Sequence, residues 1–244
     1  SADKATVATA LVRDHKGKTY PAQIIGGKVF PPGHRSTIQF VVDNMPAGGY
    51  KTFYVDVAQK GVSEQVIPEK NGRFETDFFS VAVDMKTGDI LTLTDKRSGK
   101  EYVKPNGRLN RLQVWMEAPN PMSAWTIGET TEIIDVANVE SVAIIERGPV
   151  RATIEVVKRW GKSKFIQRTH IYKSYPRVDF SIDAHWFEIG VGNNKVNIFN
   201  MNAHLLENGD GNNKANPFLK TVFDLNINQP GFYSQVPFDV VSRP

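Results

Sequence analysis

Period-two alternation of apolar and polar residues runs through this chain and excludes most folds before any motif is considered. In the segment from Val150 to Trp160, apolar Val150, Ala152, Ile154 and Val156 alternate with Arg151, Thr153 and Glu155. In the segment from Arg177 to Trp186, Val178, Phe180, Ile182, Ala184 and Trp186 share one face against Asp179, Ser181, Asp183 and His185. Successive side chains of a strand point to opposite sides, so each segment predicts a strand with one wet and one dry face, as in antiparallel sheets. Helical periodicity is nearly absent. Short alternating runs instead recur at the roughly 8–12-residue spacing of sandwich proteins, separated by Gly, Pro, Asn and Asp. Strands are predicted over 6–12, 37–42, 50–57, 78–84, 90–94, 111–117, 131–136, 141–146, 150–160, 164–172, 177–187, 195–200, 219–226 and 231–241. The fold class is all-β.

The stretch from Asp77 to Val103 reads as two strands with turns at Lys86-Thr87-Gly88 and Arg97-Ser98-Gly99. Phe79, Val81 and Val83 point one way, and apolar Ile90, Leu91 and Leu93 resume after the first turn. Before it, the polar, turn-rich segment 59–73 predicts a boundary. This divides the chain into a small N-terminal β-unit, residues 1–66, and a larger antiparallel β-sandwich, residues 67–244. A second irregular stretch, 203–217, centres on Asn208-Gly-Asp-Gly-Asn-Asn213 and predicts a surface loop. The sequence ends directly after a predicted strand, which gives the expectation of a truncated or processed chain.

A chain of 244 residues suffices for one large all-β domain or two smaller ones. The net charge of +4 is mild. Lys158-Arg159 with Lys162 and Lys164 is read as a solvated strand face, and no basic-aromatic ladder predicts a nucleic-acid partner. No apolar run approaches the ~20 residues of a membrane-spanning helix, and no charged-then-apolar leader opens the sequence. With no cysteine, disulfides and thiolate metal sites are excluded. No Asn-x-Ser/Thr acceptor occurs either, which favours a bacterial cytoplasm or periplasm over a eukaryotic secretory compartment. An oligomer is compatible with all of this.

Catalytic constellations are sparse. Asp183-Ala-His185 places two metal-capable side chains on one strand face, although both are expected to face solvent opposite Trp186. His15, His34, His170 and His204 have no partners at ligand spacing. Asp210 with Asn208 and Asn212 resembles part of a calcium loop without its closing Glu. Neither a nucleophile elbow nor a phosphate loop is present. The segment with binding character is Trp115-Met-Glu-Ala-Pro-Asn-Pro-Met-Ser-Ala-Trp125, a proline-broken loop between strands. Trp115, Trp125, Asn120 and Glu117 there combine aromatic platforms with polar groups, as sugar sites do. Trp125 either contacts sugar or plugs the sandwich end. Trp160 and Trp186 are read as core residues.

Several phrases together resemble the C-terminal β-region of glycoside hydrolase family 38 α-mannosidases. They are Asp14-His-Lys-Gly-Lys-Thr-Tyr-Pro-Ala-Gln23, Val41-Val-Asp-Asn-Met-Pro-Ala-Gly-Gly-Tyr-Lys-Thr-Phe53, the Asp77–Val103 hairpin, Met122-Ser-Ala-Trp-Thr-Ile127, Glu146-Arg-Gly-Pro-Val-Arg151, Ser174-Tyr-Pro-Arg-Val-Asp-Phe180 and Phe238-Asp-Val-Val-Ser-Arg-Pro244. The resemblance covers nearly the whole chain and rests on their order and spacing. It implies a galactose-mutarotase-like supersandwich after a small Ig-like unit. It also implies a retaining, zinc-dependent enzyme whose nucleophile and zinc ligands lie in an N-terminal catalytic domain outside this sequence. The implied partners are that domain and α-mannoside glycans, and the region alone is expected to be inactive, with no metal of its own.

Two departures accompany the resemblance. Ser123 and Thr126 stand where many members carry acidic residues, and the segment 188–217 is longer than usual. Two other readings remain: a free-standing carbohydrate-binding module, and a structural interface domain of a larger enzyme.

Overall fold

The computed structural model describes residues 9–30, 33–58, 66–118, 126–188, 215–228 and 231–243. Every regular element among them is a strand. The N-terminal unit contains β1 (Thr9–Asp14), β2 (Thr19–Tyr20), β3 (Ala22–Phe30), β4 (Gly33–Phe40) and β5 (Phe53–Ala58). A five-stranded meander follows: β6 (Glu69–Lys70), β7 (Arg73–Glu75), β8 (Phe79–Val83), β9 (Ile90–Asp95) and β10 (Lys100–Glu101). The remaining strands are β11 (Arg111–Glu117), β12 (Thr130–Asp135), β13 (Asn138–Arg147), β14 (Arg151–Trp160), β15 (Ser163–Tyr172), β16 (Val178–His185), β17 (Asn216–Val222), β18 (Phe232–Val236) and β19 (Asp239–Arg243). They form a four-stranded sheet β13-β14-β15-β16, a three-stranded sheet β12-β11-β17 and a two-stranded hairpin β18-β19. All named strand pairs are antiparallel.

The sandwich core lies between the five-stranded and four-stranded sheets. Phe74, Phe79, Val81, Val83 and Ile90 from one meet Ala152, Ile154, Val156 and Ile171 from the other. Leu91, on the opposite face of β9, is exposed. Next to this core, Leu112 and Val114 of β11 pack with Phe165 of β15. Trp160 and Trp186 are half-buried against this second cluster and stack with centroids 6.1 Å apart. The turn at Gly88 explains why the long hairpin can lie on the facing sheet. Gly88 has φ +77°, and a Cβ there would stand 2.1 Å from Val156 Cγ2. Only glycine meets both conditions at once.

Four sequence expectations need correction. On β16 the expected dry face is only partly covered, for Ile182 and Ala184 are exposed. Lys158 is not on a solvated face: it continues the inward row of Ala152, Ile154 and Val156 and is buried. Its ammonium lies 3.2 Å from Asp89 Oδ1, itself buried, and Arg108 Nη1 approaches Asp89 Oδ2 at 3.3 Å. Thr153, expected on the wet face, is also buried, because the Glu146 carboxylate and the His170 ring close over its hydroxyl. The predicted strand 231–241 is a hairpin, turning at Pro237-Phe238 with Val236 opposite Asp239. Within the turn-rich 59–73 segment, Asn71-Gly72 forms the two-residue turn between β6 and β7. Strand 195–200, the Asn208–Asn213 loop and most of the 188–217 insertion lie outside the described residues.

The N-terminal unit has its own small core of Ala10, Val12, Tyr20 and Ala22, closed by Phe40 and Phe53. Its contact with the sandwich is specific. Gln23, buried, accepts the backbone N–H groups of Val150 at 3.2 Å and Arg151 at 3.0 Å through Oε1. The Gln39 amide donates to Tyr172 Oη at 3.1 Å. Gly148 makes room for this seam, since a Cβ there would fall 2.3 Å from Gln23 Oε1. The Pro-Ala-Gln and Gly-Pro-Val-Arg phrases therefore meet in space, one capping the backbone of the other.

Candidate functional site

Strand β11 presents alternate residues to two sides. Leu112, Val114 and Met116 face the core, while Arg111, Gln113 and Trp115 form an outer row. Register brings Phe218 of β17 and Ile133 of β12 beside Trp115, and Lys220 and Asp135 beside Gln113. Trp115 is half-buried and donates from Nε1 to Gln113 Oε1 at 2.9 Å. Lys220 Nζ lies 3.5 Å from its ring centroid, and the Phe218 ring lies 6.1 Å away. One face of the indole thus carries a cation, held by the ring quadrupole.

At the end of the row, a bulge between Met116 and Glu117 turns the Glu117 carboxylate inward. It is buried and accepts the Gly128 backbone N–H. With Ala118 N–H donating to Glu129 O at 2.8 Å, this bond ties together the two limbs of the loop that carries Asn120 and Trp125. Glu117 therefore joins the end of β11 to the returning limb at Gly128. Asn120, Trp125 and Ser123 lie outside the described residues, whereas Thr126 and Ile127 are exposed on the returning limb.

Toward the start of β11 the outer face becomes charged. Gln113 Nε2 donates to Asp135 Oδ1 at 2.8 Å, and Arg111 approaches Asp135 at 3.8 Å and Asp224 at 3.7 Å. Burial works against the Asp224 charge, but the Arg108 amide, Arg111 and Lys104 outweigh it and lower its pKa. Sequence reasoning found Trp115 and Glu117 but missed Phe218, Lys220, Gln113 and Asp135. Only strand register brings these residues together, because Lys220 is far from Trp115 along the chain. Assigning β17 as the neighbour of β11 would have exposed the pair.

The outer face of the four-stranded sheet holds a second polar group. Glu146 accepts from Arg151 Nε at 2.8 Å and from the Thr153 hydroxyl at 2.6 Å, and Thr153 Oγ1 lies 2.9 Å from His170 Nδ1. Burial, reinforced by the nearby Arg151 cation, pushes the His170 pKa down. Every polar atom named here is taken by its neighbour, so the group reads as a sheet-bracing network. Asp183 is bound to Arg168 at 2.6 Å and His185 is exposed. Among the described residues, no three His, Asp or Glu side chains converge as a metal site would require.

The family model for the glycosyl hydrolases family 38 C-terminal domain matches residues 74–244. Among solved structures, a protein in glycosyl hydrolase family 38 from Enterococcus faecalis superposes with a TM-score of 0.60 and 14% identity, covering 99% of this chain. This chain spans 30% of that one. An α-mannosidase from Enterococcus faecalis V583 aligns at a TM-score of 0.49 and 14% identity, over 73% of this chain and 25% of its own. No curated protein matches.

Proposed function

The chain belongs to glycosyl hydrolase family 38, and from that premise we propose that it is the β-region of a retaining α-mannosidase. In this reading the region is scaffold and one wall of the mannoside site, and it takes a galactose-mutarotase-like supersandwich form. The family match over residues 74–244 carries the reading. The outer face of β11 supports it, because aromatic rings flanked by amide, carboxylate and ammonium groups suit the mixed apolar and hydroxyl surface of a sugar. Retention requires two carboxyl groups about 5–5.5 Å apart around the scissile bond, and these belong to the catalytic domain. In this reading the zinc ion is held by that domain, where it would polarise the sugar, and this chain's residues contribute only the wall.

Within the wall, Glu117 fixes the loop base through Gly128, and Trp125 with Asn120 forms the sugar-facing part. Trp125→Ala in the intact enzyme tests this. The expected result is a fall in kcat/KM with melting temperature nearly unchanged. A core tryptophan would instead lose about 3–5 kcal/mol on truncation, and unaltered activity per folded molecule would reject the wall. The chain alone, supplied with zinc, is expected to leave an aryl α-mannoside intact. Turnover resistant to purification and chelator controls would overturn that assignment.

A further inference from the structure

Where the N-terminal unit meets the sandwich, both contribute to a cavity of about 230 Å³. Its apolar lining comes from Pro21 and Val41 on one side and Pro149 and Val150 on the other. Lys18 and Asp43, both exposed, join them as the charged lining. The Lys18 ammonium donates to both Asp43 oxygens, at 3.0 and 2.8 Å. We infer that this cavity is a binding site for a single neutral saccharide ring.

Charge comes first. One ammonium and one carboxylate in direct contact leave the pair with no net charge, so it offers a phosphate or a free cation no unpaired counter-charge. What remains is hydrogen-bonding capacity. Lys18 has three donors, of which Asp43 takes two, and its ammonium stands 5.0 Å from the Tyr20 ring centroid. Asp43 accepts from Lys18 and from its own amide, leaving part of its roughly four-site acceptor capacity. The hydrogen bond from Lys18 lowers the Asp43 pKa, and the same bond raises that of Lys18. Both groups therefore stay charged through the neutral range. A vicinal diol is the ligand that uses this pair fully, one hydroxyl accepting from the ammonium while its neighbour donates to the carboxylate.

The remaining lining fits the rest of such a ligand. Two prolines and two valines offer C–H surface against which the apolar face of a pyranose can lie. The volume is below the ~300–1,000 Å³ of pockets for drug-sized molecules, and so suits one ring. The floor is also well placed. Pro149 and Val150 stand beside the amides that Gln23 holds, so a bound ring touches both units and stabilises their seam by linkage. The inference rests on the α-mannosidase reading only for the choice of first probe.

The experiment titrates the full chain with methyl α-mannoside, methyl α-glucoside and methyl β-galactoside, following binding by saturation-transfer NMR and calorimetry. At least one glycoside is expected to bind saturably and raise the melting temperature. Asp43→Ala and Lys18→Ala, at exposed positions, are each expected to weaken binding at least tenfold. Val41→Trp, which fills the cavity, is expected to abolish it, while Tyr233→Ala, on the exposed β18–β19 hairpin, leaves it unchanged. Absence of saturable binding by all three glycosides overturns the inference, as does binding that survives Asp43→Ala and Lys18→Ala in folded protein. An intact enzyme that cleaves mannosides without seam binding removes this site alone. Seam binding in an intact protein inactive on α-mannosides removes only the enzymatic reading.

Discussion

The β8–β9 and β18–β19 hairpins arise from the same kind of sequence, yet they meet opposite fates. In the first, Val81, Val83 and Ile90 are buried, β7 and β10 extend the sheet on either side, and Gly88 lies against Val156. In the second, the described residues pair as two strands only, Tyr233 is 69% and Val240 60% exposed, and Phe238 at the tip is fully exposed. Phe238 also has φ +69°, a left-handed conformation unusual for a bulky side chain. Alternation specifies that a segment becomes a strand. Whether its dry face is dried depends on a second layer, and a lone two-stranded hairpin is marginal without one.

The sharpest way to break this contrast is at Lys158, which joins the first hairpin to the facing sheet through Asp89. Lys158→Ala leaves Asp89 buried with Arg108 as its remaining charged partner. A loss toward the lower end of about 3–5 kcal/mol is expected in denaturant unfolding. A loss below about 0.5 kcal/mol, the scale of surface substitutions, would show the two hairpins to be equally independent of their neighbours.

Acid offers a second route. Hydrogen bonds from the Arg97 side chain and amide lower the Asp95 pKa to about 2 from its ordinary 3.8. A carboxyl with a depressed folded pKa stabilises the protein above its unfolded value and loses that contribution as pH falls through the folded value. Stability should therefore decline between about 4 and 2, where the turn after β9 lets go. Asp95→Asn should flatten this part of the profile, and an unchanged acid limb would mean that other carboxylates control it.

The smallest effect should come from the second hairpin and have the opposite sign. Phe238→Gly removes a left-handed non-glycine residue that costs roughly 1–2 kcal/mol, with no packing to lose. The expected gain is about 1 kcal/mol, or about 2–4 °C in melting temperature for a domain of this size. Destabilisation would place Phe238 in a contact that its exposure does not indicate.

The same contrast explains what could be read from the sequence. Strand β11 was predicted with its observed bounds, and β14 and β15 within one residue, because ten-residue alternation overdetermines a strand. Strands β2, β6, β7 and β10, of two or three residues, are too short to have a period. Strand β3 was missed because Gly26-Gly27 interrupts its alternation, where the register shifts between Ile24 and Gly26. Lys158 was misread for a different reason: period two gives the face of a residue, not the Asp89 that waits on it. At the candidate site, Trp115 was legible as an aromatic in a binding-like phrase. The Lys220 cation on its ring was not, since cross-strand neighbours are set by topology.

The Gln23 bond has a practical consequence for dividing the protein. Cutting the chain at Phe74, where the family match begins, appears natural on paper but would discard the acceptor for the Val150 and Arg151 amides. It would also remove Ile67, a fully buried member of the sandwich core. A shortened chain would carry an open groove beside Gly148, lined by donors that nothing satisfies, and would invite a foreign side chain or a second molecule into it. Anyone seeking the sandwich by itself should keep the small unit, or first replace what Gln23 supplies.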